Sequence, residues 1–450
     1  MDKLIIVGGG LAGCEAAWQA AQQGVEVVLF EMRPEKMTGA HKTPLLGELV
    51  CSNSLRSREI VTGPGLLKKE LELAGSLVMN AALASEVPAG SALAVDRTIF
   101  SQHITGSLER HPNISVIREE ITIIPDSPAI IATGPLTSDG MADALKALIG
   151  EKHLYFYDAI APIIDAGSID YSIAYLASRY GKGGDDYVNC PMSEDEYRVF
   201  YEALKDADSV HRKDFEDAKV FEGCMPVEAM AERGEDTLRF GPLKPVGLPD
   251  PKTGRIPYAV VQLRTENMER SAYNMVGFQT RLKWPEQKKV FTMIPGLQHA
   301  DFLRFGSMHR NTFINAPLYL NSDLSLKVKD CLYLAGQITG VEGYVESTAM
   351  GLLAGINAAR KIQGKATLYP PQVSAHGSLV AHITGSRPLP QKAATSGASR
   401  PTGFQPSNIN FGLIPAVKQP GIKDKKLRRK MTAEVALKEW SEYISLIKKG

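Results

Sequence analysis

The residues Gly8-Gly9-Gly10-Leu11-Ala12-Gly13, close to the amino terminus, have the spacing of a phosphate-binding turn. In such a turn the first glycine permits a tight reversal and the second lets the backbone approach a pyrophosphate. The third lets the following helix pack on the preceding strand. Glu31 stands 21 residues beyond Gly10, where an acid at the end of the next strand reaches a ribose hydroxyl. A second chemistry lies in the cysteines. Cys51 precedes the polar run Ser52-Asn53-Ser54, and Cys224 lies between Gly223 and Met225-Pro226, both in non-helical contexts. A thiolate is intrinsically nucleophilic and an adequate leaving group, so these two are the candidate catalytic groups. Cys14, Cys190 and Cys331 fall in a helix or in apolar strand-like runs and read as core packing.

The elements that must position these groups follow from periodicity. Leu4-Ile5-Ile6-Val7 is an apolar run of buried parallel-strand type, directly before the glycines. Residues 14–23 read as an Ala-rich helix closed by Gly24, and Val25, Val27 and Leu29 lead to Glu31. Two later segments return to this unit. Ile130-Ile131-Ala132-Thr133-Gly134-Pro135 is a strand running into a glycine turn. Cys331 to Gly336-Gln337 is another, followed by Gly340, Gly343, Tyr344, Glu346, Ser347 and a small-residue helix over 348–362. A simple NAD domain needs no such return, whereas two-part FAD folds do. The expected fold class is α/β. A Rossmann-like, GR2-type FAD-binding domain comprises 1–135 and 315–450, with a discontinuous C-terminal return, and an inserted α/β domain comprises 136–314. The candidate FAD contacts are Gly8, Gly9, Gly10, Leu11, Ala12, Gly13, Glu31, Gly134, Gly336, Gln337, Gly343 and Tyr344.

Within the insertion, helices are expected over 140–148 and 193–206 and a strand over 153–160, ahead of a basic, amide-rich stretch over 260–289. It contains no second G-x-G-x-x-G. Gly181-Lys182-Gly183-Gly184 is too polar and lacks a preceding strand, so NAD(P)H is expected to dock transiently against the flavin. Residues 365–405, rich in Pro, Gly, Ser and Thr, read as a loop region, and 431–449 as an amphipathic helix.

Composition sets the outer bounds. A chain of 450 residues suggests two to four domains. Lys+Arg 51 against Asp+Glu 50 gives a net charge of +1, which excludes a globally basic nucleic-acid coat but not local patches. With 44% hydrophobic and 22% charged residues the chain is an ordinary globular one. No window approaches 18 consecutive apolar residues, so no membrane partner is expected. Five cysteines cannot form a disulfide framework, and a strand starting at Lys3 leaves no room for a signal peptide. The expectation is a cytoplasmic protein with no metal. Lys423, Lys425, Lys426, Arg428, Arg429 and Lys430 form the densest basic run. Arg264, Arg270, Arg281, Lys283, Lys288 and Lys289 are scattered over the insertion, and His309-Arg310-Asn311 offers further donors. Such patches are the footprint expected of phosphate contacts, although a charge run is more often a solvated face.

Several longer blocks carry a resemblance. They are Glu48-Leu49-Val50-Cys51-Ser52-Asn53-Ser54-Leu55-Arg56-Ser57, Val87-Pro88-Ala89-Gly90 through Ala94-Val95-Asp96-Arg97, and Phe221-Glu222-Gly223-Cys224-Met225-Pro226-Val227-Glu228. Gly277-Phe278-Gln279-Thr280, Trp284-Pro285-Glu286-Gln287, His309-Arg310-Asn311-Thr312, Phe404-Gln405-Pro406 and Asn410-Phe411-Gly412-Leu413 follow. In these blocks, which span nearly the whole length in order, the chain resembles the folate- and FAD-dependent tRNA (uracil-5-)-methyltransferases, the TrmFO family. It reads Pro406-Ser407-Asn408 where that pattern has Met before Asn. The related MnmG (GidA) wobble-uridine enzymes share the N-terminal pattern but are longer.

The resemblance implies a reaction. A methylene from 5,10-methylenetetrahydrofolate passes to C5 of uridine 54 in the tRNA T-loop, with reduced FAD as reductant and NAD(P)H restoring it. It associates Cys51 and Cys224 with catalysis: Cys51 as the preferred nucleophile on uracil C6, Cys224 as the thiol handling a proton or the methylene, with the reverse assignment open. For tRNA, the candidate contacts are Arg281, Lys283, His309, Arg310, Lys425, Arg428 and Arg429. A wobble-uridine enzyme of MnmG type, an NAD(P)H flavin oxidoreductase without RNA, and a non-catalytic RNA-binding module are the alternatives. Nicotinamide preference and oligomeric state stay open.

Overall fold

The computed structural model describes residues 3–150, 154–181, 184–210, 225–267, 269–386, 404, 406–416 and 424–449, and for 154–160, 307–311 and 449 the backbone alone. Cys224, Lys182, Gly183, Gln405 and Lys423 lie outside the described residues.

Strand β1 (Leu4–Val7) leads through the glycines into helix α1 (Leu11–Gln22), and β2 (Val27–Glu31) follows. They belong to a six-stranded sheet in the order Ser325–Leu326, Lys329–Leu334, Ala129–Ile131, β1, β2, Ile114–Arg118. All pairings are parallel except that between the first two strands. Val7 stands opposite Phe30 on one side and Ile131 on the other, so three strands end at one level. The carboxyl ends of parallel strands open a crevice there, which is where ligands of such sheets bind. The helix Tyr344–Ile362 returns across α1 at close range: a side chain at Gly351 or Gly355 would strike the carbonyl oxygens of Ala12 and Ala16. That contact sets the start of the returning helix, Tyr344, above the glycine turn.

A second core belongs to the antiparallel sheet Tyr175–Leu176, Tyr187–Met192, Ala259–Thr265, Ala272–Met275, Ile163–Asp165, Phe302–Arg304, covered by helices Glu194–Asp206 and Trp284–Phe291. The antiparallel pair Leu154–Ile160 and Ser307–Phe313 joins the two units. Helix Asp139–Ile149 adds Met141 and Leu145 to the first core, which thus extends past the glycine turn at 134.

Three local expectations change. Residues 365–405, read as a loop, contain a helix, Ala375–Ile383. Its first backbone N–H groups are satisfied by the buried carboxylate of Glu70, which accepts from Ala375 at 2.8 Å and His376 at 3.0 Å. Ser374 supplies the local cap, accepting from Gly377 N at 2.9 Å, and the part supplied by Glu70 from 305 positions away leaves no local signal. The terminal helix begins at Lys425 rather than after the basic run, because Lys and Arg are good helix formers and Asp424 accepts from Lys426 N at 2.7 Å. Cys331 is half-buried, whereas Cys14 and Cys190 are fully buried, and burial pushes the Cys190 thiol up to about 12.

Candidate active site

The crevice at the strand ends is a partly open cavity of about 1010 Å³, counting its mouth to solvent, lined by Gly8, Gly9, Gly10, Leu11, Ala12, Glu31, Gly134, Gly336, Gln337 and Tyr344 among others. Of the candidate FAD contacts, Gly13 and Gly343 do not line it. Gly13 is used elsewhere: a Cβ there would lie 1.8 Å from the carbonyl oxygen of Gly8, so only glycine allows the turn to close on the helix. Gly10 is the opposite case. It caps α1 with an ordinary φ of −77°, and a Cβ there would meet nothing within 4 Å. Cys14 N is the first to bond within the helix, to Gly10 O, which leaves the N–H groups of Leu11, Ala12 and Gly13 without intrahelical acceptors. An open cradle at a helix N-terminus fits a dinucleotide pyrophosphate.

Glu31 departs from the simplest expectation. Its Oε1 accepts from Arg33 N and Nε, both at 3.0 Å, and its Oε2 from Gly9 N at 2.9 Å and Arg33 Nη2 at 3.2 Å. All four lone-pair directions are taken, so a ribose hydroxyl has to displace one of them. Burial raises the Glu31 pKa, but the hydrogen bonds and charge of Arg33 outweigh it and hold the carboxyl below its usual range. Arg33, 1% exposed, also reaches Glu48 at 2.9 Å, tying the loop ahead of Cys51 to this wall.

The thiol stands beside the cavity. Val50 and Tyr344 line it, and Cys51 Sγ lies 2.9 Å from the Tyr344 hydroxyl. That hydroxyl oxygen accepts from Cys51 N at 2.8 Å and Ser52 N at 3.2 Å. With both lone pairs used, its proton points to sulfur, and Sγ is the acceptor. Burial, and then the neighbouring Cys51, push the phenol pKa well above its ordinary value, so the proton stays on oxygen.

Three arginines hold the loop from behind. Arg97 Nη1 donates to Leu49 O at 2.7 Å, Arg304 Nη1 to Val50 O at 3.2 Å, and Arg264 to Ser52 Oγ at 2.8 Å and Asn53 Oδ1 at 2.9 Å. Asn53 in turn bonds Val95 O and Thr265 O, so the loop is fastened to both units. Glu266 lies 2.6 Å from Arg97 Nε. Burial opposes the Arg97 charge, but Glu266 overcomes it and raises the pKa, whereas burial and the Arg97 charge lower Arg304 to about 10. All three guanidiniums stay protonated at neutral pH. A strongly cationic setting of this kind stabilises an anionic sulfur or substrate oxygen.

The remaining candidate residues are spread out. Arg281 is paired with Glu228 and Glu232, and Lys283 with Asp208 at 3.0 Å. His309 and Arg310 sit on the linking strand Ser307–Phe313, and Lys425 and Arg428 are exposed on the terminal helix. Arg429 lies over the Phe411 ring at 5.4 Å. Ser407, where the family pattern has Met, meets the returning loop through backbone alone, its N–H to Gly340 O and its carbonyl to Glu342 N. Arg264, grouped with the scattered surface cations in the sequence, is buried. Nothing in the sequence singled out Arg304 or Glu266, whereas Arg97 and Asn53 lie inside the quoted blocks.

The family model for glucose inhibited division protein A matches residues 3–366. The crystal structure of Aquifex aeolicus GidA superimposes with a TM-score of 0.66 at 17% identity, covering 100% of this chain and 75% of that one, and so shares the fold. In sequence the likeness is far greater. Methylenetetrahydrofolate–tRNA-(uracil-5-)-methyltransferase TrmFO of Moorella thermoacetica is 55% identical over 441 residues, 98% of either chain. The proteins of the same name from Natranaerobius thermophilus and Aquifex aeolicus are 56% and 53% identical over 98% of this chain and 99% and 96% of theirs. On these identities the chain, with its flavoprotein fold, belongs to the TrmFO family.

Proposed function

We propose that the loop around Cys51, at the wall of the dinucleotide cavity, is the carbon-transfer centre of a folate- and FAD-dependent tRNA (uracil-5-)-methyltransferase. The chain is an enzyme of that kind, acting on tRNA with 5,10-methylenetetrahydrofolate as carbon donor and NAD(P)H as source of electrons. Bound in the cavity, reduced FAD supplies the two electrons that turn a transferred methylene into a methyl group. The target is C5 of the T-loop uridine 54, and the work is done in the cytoplasm. No helix among the described residues is long and apolar enough to cross a membrane.

The protein's own groups divide the remaining work. Uracil C5 becomes nucleophilic when a thiolate adds to C6, which places the electron pair on the C4 oxygen as an enolate. C5 then bonds the carbon, and the C5 proton passes to the second thiolate. The bond from the carbon to its donor nitrogen breaks with the electron pair going to nitrogen, and two-electron reduction of the exocyclic methylene so formed expels the C6 thiolate. Two thiols serve this sequence. The contact of Cys51 with Tyr344, a residue of the cofactor cavity, favours the reverse of the first assignment: Cys51 handles the one-carbon unit or its proton, and Cys224 adds to C6. Tyr344 orients Sγ, and Arg97, Arg264 and Arg304 hold the loop and supply positive field. The observation that carries this reading is the 2.9 Å contact of Cys51 Sγ with Tyr344, itself part of the cavity wall.

The test combines purified protein, FAD, NAD(P)H, unmodified tRNA and methylenetetrahydrofolate labelled in its one-carbon unit. Label in 5-methyluridine at position 54 is expected. Nicotinamide oxidation without labelled RNA would instead make the chain a flavin oxidoreductase. A tRNA containing 5-fluorouridine, which cannot lose its C5 substituent as a proton, marks the cysteine that attacks C6.

A further inference from the structure

An aromatic ladder rises beside the Cys51 loop and plays no part in the chemistry above. Phe302 is rooted against the second core. Phe305 stacks on it with ring centroids 5.2 Å apart and 15° between planes, and Trp284 stacks on Phe305 at 5.8 Å and 16°. The outermost ring, Trp284, is 64% exposed. Three nearly parallel rings ending in an open indole face are unusual on a surface that would otherwise hide them.

The ladder is held rigid. The buried side chain of Gln287, on the same helix as Trp284, donates to Gly306 O at 2.9 Å and accepts from Gly306 N at 2.7 Å. It also donates to Leu282 O at 2.7 Å. Phe302 is fixed by strand pairing with Ile164. Between the two phenylalanines lies Arg304, whose Nη1 holds Val50 O, next to Cys51. The platform and the thiol loop are therefore joined by one residue.

We infer that the Trp284–Phe305–Phe302 ladder is a stacking platform for an unstacked base of the tRNA T-loop, presented beside the carbon-transfer site. The inference rests on the tRNA reading of that site. A uridine that reacts at C5 and C6 has to leave its own stack, and both it and its former neighbours lose stacking partners. Aromatic faces receive unstacked bases irrespective of sequence. The surrounding charge suits an RNA without dominating it. Lys283 and Lys288 are exposed on either side of Trp284, but Lys283, Arg281 and Lys289 already face Asp208, Glu228, Glu232 and Glu286. Affinity at this spot comes from stacking more than from phosphate contacts.

The distinction sets the test. Binding of unmodified tRNA is measured over a range of salt concentrations for wild type, Trp284→Ala and Trp284→Phe. Trp284→Ala should weaken binding about 5- to 150-fold, with the slope of log K against log salt unchanged. Trp284→Phe should recover most of the affinity, and all three should hold FAD and reduce it with NAD(P)H alike. Intrinsic fluorescence gives a second readout. Trp18 is half-buried and Trp440 fully buried, so the quenching caused by a tRNA T-arm hairpin should come from Trp284 and vanish in Trp284→Phe. Wild-type affinity in Trp284→Ala, a flattened salt slope, or quenching that persists in Trp284→Phe would each overturn the platform. A change of oligomeric state on substitution would do the same, by assigning the ring to a contact between copies. If wild type labels tRNA and Trp284→Ala binds normally, the platform alone fails. If wild type labels no tRNA, the functional reading fails first.

Discussion

Replacing Gly10 with valine separates the fold of the glycine turn from its ligand. The backbone there has φ −77°, which valine adopts freely, and a Cβ would meet nothing within 4 Å. The flavin-free variant should therefore fold like wild type, losing below about 1 kcal/mol for a poorer N-cap. The added methyl groups, however, stand where a pyrophosphate approaches the N–H groups of Leu11, Ala12 and Gly13. A hydrogen bond to a charged group contributes about 1.5–3 kcal/mol, so losing two weakens FAD binding by about 3–6 kcal/mol, or roughly 10²- to 10⁴-fold. Gly13→Ala is the control. Its Cβ would sit 1.8 Å from Gly8 O, where ordinary contacts begin near about 3.5 Å. Strand and helix must part, at a cost above the roughly 1–3 kcal/mol of ordinary overpacking. Flavin absorbance after purification and thermal melts of the stripped proteins read the two effects. The reasoning fails if Gly10→Val keeps full flavin, or if stripped Gly13→Ala melts with wild type.

Cys51→Ala and Cys224→Ala should each abolish labelling of tRNA while flavin reduction by NAD(P)H continues, since hydride transfer needs no thiol; near-normal methylation in both would end the thiol mechanism. Tyr344→Phe removes the acceptor of Cys51 N and Ser52 N, at about 1–3 kcal/mol per stranded N–H, and should lower the methylation rate more than the nicotinamide oxidation rate. Equal reductions in both rates would mean that the ring serves only to build the cavity. Neutralising Lys425, Lys426, Arg428 and Lys430 should reduce the log–log salt slope of tRNA binding by about 0.7–0.9 for each phosphate left without its cation, and an unchanged slope would show the terminal helix to be a solvated face.

The dinucleotide unit was legible because its signals are local. Strand, glycines, helix, strand and acid are adjacent in the chain, and each has a conformational reason that no distant residue supplies. The long blocks around Cys51 and Arg97 likewise pointed to the family. Distance in the chain hid the rest. Glu31 reads as a ribose ligand until Arg33 folds back and fills its lone pairs. Helix Ala375–Ile383 carries a local cap in Ser374, lost among the turn residues around it, and a second, distant one in Glu70. Cys51 meets Tyr344 across 293 positions within the first unit, and Arg264 serves the same loop across 212, a contact that exists only once the second core has packed against the first. By itself the sequence determined the elements, the cofactor turn and the thiols available. Only the tertiary structure decided that the Cys51 loop meets Tyr344 at the cavity, which arginines are buried behind it, and that three aromatic rings align beside it. Electrostatics and stacking act over a few ångströms of space, whatever the separation along the chain.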